Sequence, residues 1–388
     1  MEIELPIRRN PHDLASVYQP RRVWAAGVSV AWNLLLVGGF VTTGAASRFY
    51  FRLAGLSPAS HGSHVPWVVP VYLVLCFLAY AAANYPLELW IGYLEERHFG
   101  LAKDGIRAWT RDWLAGNAQH GWFFCGGSFL VIALQVMLPH GWLAVLTVAL
   151  LALFLLTNYF AADLLPKGLF RFESPDAATT ARIAALRGEV SLPRVWVFTS
   201  SSPRGFCGGI IGMGGRQVML LSRSTLTDAS DSVLRFVLRH DAGHRYYHHP
   251  LMATLTGWAW VVLGLVLGDR VIQRFSPGTT GLPPYIAWLG LTLSFWMAAG
   301  EPLLAYLGRR LEYQADRFYL RHGGTTREMR IALEELSWRN LARVDAQRRR
   351  RSFFHPLPSV WNRLYAAELY AKSLSPDAGI PAQTKGAA

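Results

Sequence analysis

The sequence predicts an all-α polytopic membrane protein with a small soluble α+β insertion, and three observations lead there. Of the 388 residues, 52% are hydrophobic and 16% charged, whereas soluble globular proteins carry about 25% charged residues. Six apolar runs, at 23–43, 65–94, 122–138, 142–165, 251–272 and 285–307, approach or exceed the roughly 20 residues that cross a hydrocarbon core. Between the fourth and fifth runs, residues 166–250 turn mixed polar, a composition that does not belong in lipid.

Taken in order, a polar stretch reaches to Arg22. The first apolar run therefore starts too late and runs too long for a cleaved signal peptide, and reads as a retained anchor. Residues 1–165 form an N-terminal membrane domain of four spans. In the insertion, 175–187 reads as a helix, 195–199 and 217–221 as strands, and a further helix starts at Ser230. Two more spans fill 251–308, and 309–388 form a helical C-terminal part with a basic tail. The chain shows no internal repeat.

The net charge is +13 at pH 7, and basic residues gather at the ends of the apolar runs. No aromatic-interleaved basic stretch accompanies them, so the charge suits membrane orientation and not nucleic-acid binding. The cluster Arg348, Arg349, Arg350, Arg351 suits anionic lipid headgroups. Arg8, Arg9, Arg21 and Arg22, then Arg97, Lys103, Arg107 and Arg111, and the richer C-terminal part all point to the cytoplasm. Six crossings place the insertion and everything after Arg309 on that same side, although Arg48, Arg52, Arg270 and Arg274 run against the bias. Lysine occurs only at 103, 167, 372 and 385; this arginine preference points to a GC-rich bacterial genome, hence a bacterial inner membrane. Cys76, Cys125 and Cys207 are too scattered for a disulfide framework or a cysteine zinc site.

The chemistry concentrates in Phe236-Val237-Leu238-Arg239-His240-Asp241-Ala242-Gly243-His244. Two imidazoles four residues apart share one helix face and reach one ion. The pattern is that of a His-Glu-x-x-His zinc helix with aspartate in the glutamate's place. A later stretch, Arg310-Leu311-Glu312-Tyr313-Gln314-Ala315-Asp316, supplies a carboxylate from a second helix. Two histidines and Glu312 around one Zn2+ per chain leave a fourth position open, the mark of a catalytic site. Asp316, one turn beyond Glu312, is placed to accept a hydrogen bond from a ligand histidine. Taken singly, each of these side chains reads as an ordinary polar helix face; their joint spacing and membrane side favour the metal.

Asp241 takes the place of the general base. Aspartate has the right chemistry but is one methylene shorter, and a misplacement of about 1 Å costs about a hundredfold in rate. It is a slowed base, a base in a reshaped site, or the trace of an enzyme that lost proteolysis.

From about Asn84 to Leu364 the chain resembles the CAAX prenyl protease type 1 family, integral membrane zinc metallopeptidases of the gluzincin type, and its bacterial homologues. Four stretches carry the resemblance. Tyr93-Leu94-Glu95-Glu96-Arg97-His98-Phe99-Gly100-Leu101 is similar to the family's Glu-Glu-x-x-Phe-Gly-Phe. Leu165-Pro166-Lys167-Gly168-Leu169-Phe170-Arg171-Phe172 looks like its Leu-Phe-x-Lys-Phe. The run His240 to His249 matches His-Glu-x-Gly-His-x-x-x-x-His, and Glu312 to Asp316 matches Glu-x-Gln-Ala-Asp. The resemblance implies six to seven transmembrane helices around an intramembrane chamber, with a small α+β zinc-metallopeptidase-like domain capping it on the cytoplasmic side. It implies that His249 supports a ligand from behind, and that Cys207 and Gly208 stand where the family's Ser-Asn-Ala segment binds substrate backbone. It also implies catalytic roles for Asp241, His355 and Arg363; the run Pro358 to Arg363 aligns with the family's His-Pro-Ser/Thr-Leu-x-x-Arg element, which sets His355 two residues early as an oxyanion stabiliser.

The expected function is a membrane-embedded zinc metalloendopeptidase acting on membrane-associated, prenylated or misfolded proteins. Two alternatives stand beside it: a zinc-binding homologue with non-proteolytic chemistry on a small or lipid substrate, and an inactive scaffold.

Overall fold

The computed structural model describes residues 11–55, 67–101, 105–164, 172–199, 208–339 and 357–374. The chain enters through α1 (Pro11–Thr42) and a short α2 (Ala45–Leu53) that follows Gly44, whose φ of 72° makes the corner. Next come α3 (Val68–Glu88), a π-helical turn (Leu89–Leu94) and α4 (Glu95–His98), followed by the long α5 (Ile106–Met137) and α6 (Trp142–Tyr159). Among the described residues, five helices are long and apolar enough to cross a membrane: Val17–Thr42, Val68–His98, Ile106–Met137, Trp142–Tyr159 and, later, His249–Phe275. Their outward faces leave Leu35, Trp122 and Val148 exposed, as lipid-facing helices do.

The sixth expected run, 285–307, is helical but is not among these five. Trp288, Thr292, Ser294, Trp296, Gly300, Glu301 and Pro302 dilute its apolar character.

The stretch Tyr93 to Leu101 ties α1 to the rest of the fold. Tyr18 Oη donates to Glu96 Oε1 at 2.6 Å, Arg21 reaches Glu95 at 3.4 Å, and the Phe99 ring packs edge-on against Tyr18 at 4.9 Å. Gly100, at φ 67°, turns the chain out of the helix.

The soluble part opens with β1 (Phe172–Glu173) and α7 (Ala177–Arg187), which Asp176 caps by accepting from Thr179 N. β2 (Arg194–Phe198), β3 (Gly208–Ile211) and β4 (Val218–Ser222) complete a four-stranded sheet in the order β1-β2-β4-β3. β2 and β4 run parallel and the outer pairs antiparallel, and among the described residues β3 is an edge. The two expected strands are present one residue displaced, while β1 and β3 are additional.

After α8 (Arg223–Asp228), the Ser230 hydroxyl caps α9 (Asp231–Tyr246) by accepting from Val233 N. α10 (His249–Phe275) returns toward the apolar bundle, α11 (Pro283–Arg321) is one unbroken helix of 39 residues, and α12 (Thr326–Arg339) and α13 (Val360–Leu374) close the described chain.

Two large apolar cores result among the described residues. One gathers Tyr72 and Val69 of α3, Ile132 of α5, Trp142 of α6, Ile272 of α10 and Tyr285 of α11. The other lies under the sheet and joins Met219, Leu221, Leu234 and Leu238 to Tyr319 of α11, Met329 of α12 and Leu364 of α13. α11 therefore belongs to both. Cys76 and Cys125 are free thiols packed against the first core. Cys207, His355 and the Arg348–Arg351 cluster lie outside the described residues.

Candidate metal centre

α9 follows the helical period closely. Val233, Leu234, Val237 and Leu238 are buried in the soluble core, and the same winding turns His240 and His244 toward α11, against which α9 packs. Gly243 permits this contact. A Cβ there would stand 2.9 Å from Phe318 Cβ and 3.1 Å from Ala315 Cα, tighter than side chains tolerate.

The close approach brings three donors together. His240 Nε2 and His244 Nε2 lie 3.2 Å apart, Glu312 Oε2 lies 3.4 Å from His240 Nε2, and Glu312 Oε1 lies 3.6 Å from His244 Nε2. His240, His244 and Glu312 form a group whose ligand atoms all fall within 4.8 Å of one another. Two ligands held about 2.0–2.1 Å from a tetrahedral zinc stand roughly 3.3 Å apart. The donor set therefore fits that ion in type and in spacing.

Each histidine is backed at Nδ1. His240 Nδ1 is 3.1 Å from Asp316 Oδ1, and His244 Nδ1 is 2.9 Å from His249 Nδ1, whose Nε2 reaches Gln314 Oε1 at 2.9 Å. Arg363, from α13, binds Asp316 with both Nε (2.9 Å) and Nη2 (2.5 Å), and its Nη1 lies 3.4 Å from Glu312 Oε2. Its guanidinium sits over the Phe236 ring, behind the ligands.

Burial works against every charge in this group, and the partners decide the outcome. Burial lowers the pKa of His240, but hydrogen bonds to Asp316 and Glu312 overcome it and raise it to about 9. Burial and the neighbouring His240 charge push His244 down to about 3. Burial raises Glu312, yet its hydrogen bond to His240 and the charges of His240 and Arg363 hold it well below the usual carboxylate range. Asp316 is likewise lowered; burial opposes this and the Arg363 charge is the chief cause.

Asp241 is different. Burial lifts it to about 6, with His240 and Arg363 opposing and Glu312 assisting. Its Oδ2 is shielded and has no hydrogen-bond partner among the described residues. A Cβ on Gly208, the first residue of the β3 edge, would lie 3.6 Å from that oxygen.

The structure thus brings together His240, Asp241, His244, His249, Gly208, Glu312, Asp316 and Arg363, and leaves Cys207 and His355 undescribed. Gly243 and Gln314 are site residues that the reading of the sequence did not single out, although both stand inside the motifs quoted for it.

A two-helix ligand set in a chain with five membrane-length apolar helices defines the class: a membrane-embedded metallohydrolase. The chain belongs to peptidase family M48, whose profile matches residues 177–371. The fold is similar to the crystal structure of S. mikatae Ste24p, with a TM-score of 0.76 at 18% identity over 94% of this chain and 92% of that one. No curated protein sequence matches significantly.

Proposed function

We propose that this membrane metallopeptidase binds one zinc ion through His240, His244 and Glu312 and hydrolyses peptide bonds of membrane-associated, prenylated or misfolded proteins at the cytoplasmic face of a bacterial inner membrane. The observation that carries the metal assignment is the meeting of three donor groups: His240 Nε2 and His244 Nε2 lie 3.2 Å apart, and the Glu312 carboxylate reaches the first through Oε2 at 3.4 Å and the second through Oε1 at 3.6 Å. Zinc held there supplies a Lewis acid that polarises a carbonyl and lowers the pKa of water.

The remaining work falls to the chain. Asp241 Oδ2, with a pKa of about 6, is ionised at neutral pH yet basic enough to take a proton and return it to a leaving amine. β3, last in the strand order among the described residues, is where an extended substrate would add as a further strand, and a Cβ on Gly208 at its head would come within 3.6 Å of Asp241 Oδ2. Arg363 holds Asp316 and Glu312 in place and so acts as a positioning charge. Cys207 and His355 retain their proposed roles in binding substrate backbone and stabilising an oxyanion.

One observation favours the second reading, altered chemistry on a small or lipid substrate: the base is an aspartate. The same experiment separates the two. Detergent-purified, zinc-loaded protein is given an unfolded membrane protein and a prenylated peptide, with His244→Ala alongside. Cleavage by the wild type alone establishes the peptidase; one equivalent of zinc bound with no cleavage shifts the assignment to the second reading.

A further inference from the structure

The two ligand histidines are not held alike. His240 Nδ1 lies 3.1 Å from Asp316 Oδ1, a carboxylate oxygen that only accepts, and 3.4 Å from Arg363 Nη2; the shorter contact puts the hydrogen on Nδ1 and leaves Nε2 the lone pair a metal needs. His244 Nδ1 faces another imidazole nitrogen, His249 Nδ1, at 2.9 Å. Such a pair bonds only when one nitrogen donates and the other accepts, and nothing within the pair decides which.

The decision comes from one residue further out. His249 Nε2 lies 2.9 Å from Gln314 Oε1, and an amide oxygen accepts only. His249 therefore carries its hydrogen on Nε2 and its lone pair on Nδ1. His244 must then donate from Nδ1, which frees its Nε2 toward His240 Nε2 and Glu312. Were Gln314 to present its NH2 group, each step would invert and a hydrogen would sit on His244 Nε2, where the metal belongs.

The surroundings hold His249 in place. It is the buried first residue of α10, the preceding His248 adopts a left-handed φ of 55°, and the Tyr247 ring stacks on its face at 5.7 Å.

We infer that Gln314 is a positioning residue that sets the tautomer of the metal ligand His244 through His249; this rests on the zinc assignment above. It acts on the metal centre through His249. The relay is also uncharged, so His244 is backed by a neutral pair while His240 is backed by a carboxylate.

The test measures metal binding in the full-length, detergent-purified protein by chelator competition, together with the absorption spectrum of the Co2+-substituted form. Gln314→Leu should weaken zinc binding by about 10–100-fold and change the Co2+ spectrum. Gln314→Met, which keeps the length of the side chain without the acceptor, should do the same and serves if the leucine variant fails to fold. Gln314→Glu keeps an acceptor oxygen and should stay within a few fold of wild type.

Wild-type zinc affinity in both the leucine and methionine variants would overturn the inference. So would a glutamate variant as weak as they are, since packing and not the acceptor would then be at work. His244→Ala is measured beside them. If it still bound one zinc as tightly as wild type, the zinc assignment itself would fall, an outcome distinct from failure at Gln314 alone.

Discussion

Without metal, a protonated His240 and Arg363 face the carboxylates of Glu312 and Asp316, with Asp241 buried beside them. Zinc bound as proposed would have to displace the proton on His240, whose pKa is raised to about 9. Below that pH the histidine is charged, so protons compete with the metal; above it they do not. Zinc affinity should therefore climb about tenfold per pH unit through the neutral range and level off near pH 9. Chelator competition at several pH values checks this, and a flat profile from about pH 6.5 to 8.5 would mean that His240 is already neutral. Asp241→Asn keeps the volume and removes the acceptor. It should cost about 10²–10⁴ in cleavage rate with zinc stoichiometry unchanged, and retained cleavage would remove Asp241 from the base role.

Among the elements, the α9–α11 contact decides whether a site exists. Gly243→Ala would push Cβ against Phe318 and the Ala315 backbone, and backbone cannot yield as a flexible side chain does. We expect about 1–3 kcal/mol of lost stability, read by thermal unfolding, with weaker zinc binding because Glu312 retreats from α9. An alanine variant with wild-type zinc affinity would show that the glycine is not needed for the approach.

What the sequence made legible follows the same division. His240, His244 and the helix that carries them could be read from spacing alone, because a helical period is a local property. Glu312 was reached because it recurs in a second recognisable stretch. β3 was not foreseen: four residues beginning Gly208-Gly209 have little strand character of their own, and β4 alongside gives them their conformation. α2 was equally hidden, since Arg48 and Arg52 interrupt its apolar face and burial of Tyr50 and Phe51 against α3 becomes visible only in three dimensions. The direction of the His244–His249–Gln314 relay likewise depends on which way one amide faces.

At the scale of the molecule, the metal ligands join two helices that carry the soluble core, one of which also enters the apolar bundle. A ligand that binds the folded form alone stabilises it by about 4 kcal/mol at a thousand times its Kd. Stripping zinc with a chelator should lower the wild-type Tm by several degrees and leave His244→Ala unmoved. A wild-type Tm indifferent to chelation would mean that the metal holds nothing together.

The residue that touches ligand His244 from behind, His249, is also the first residue of a membrane-length helix. With that helix in the bilayer, as the proposed function requires, the proposed metal centre is tied through His249 to the helix's first residue and so to its height. In a model substrate with a fixed lipid anchor and a sliding cleavable bond, cuts should fall in a band of constant elevation above the membrane, whatever amino acids pass through it.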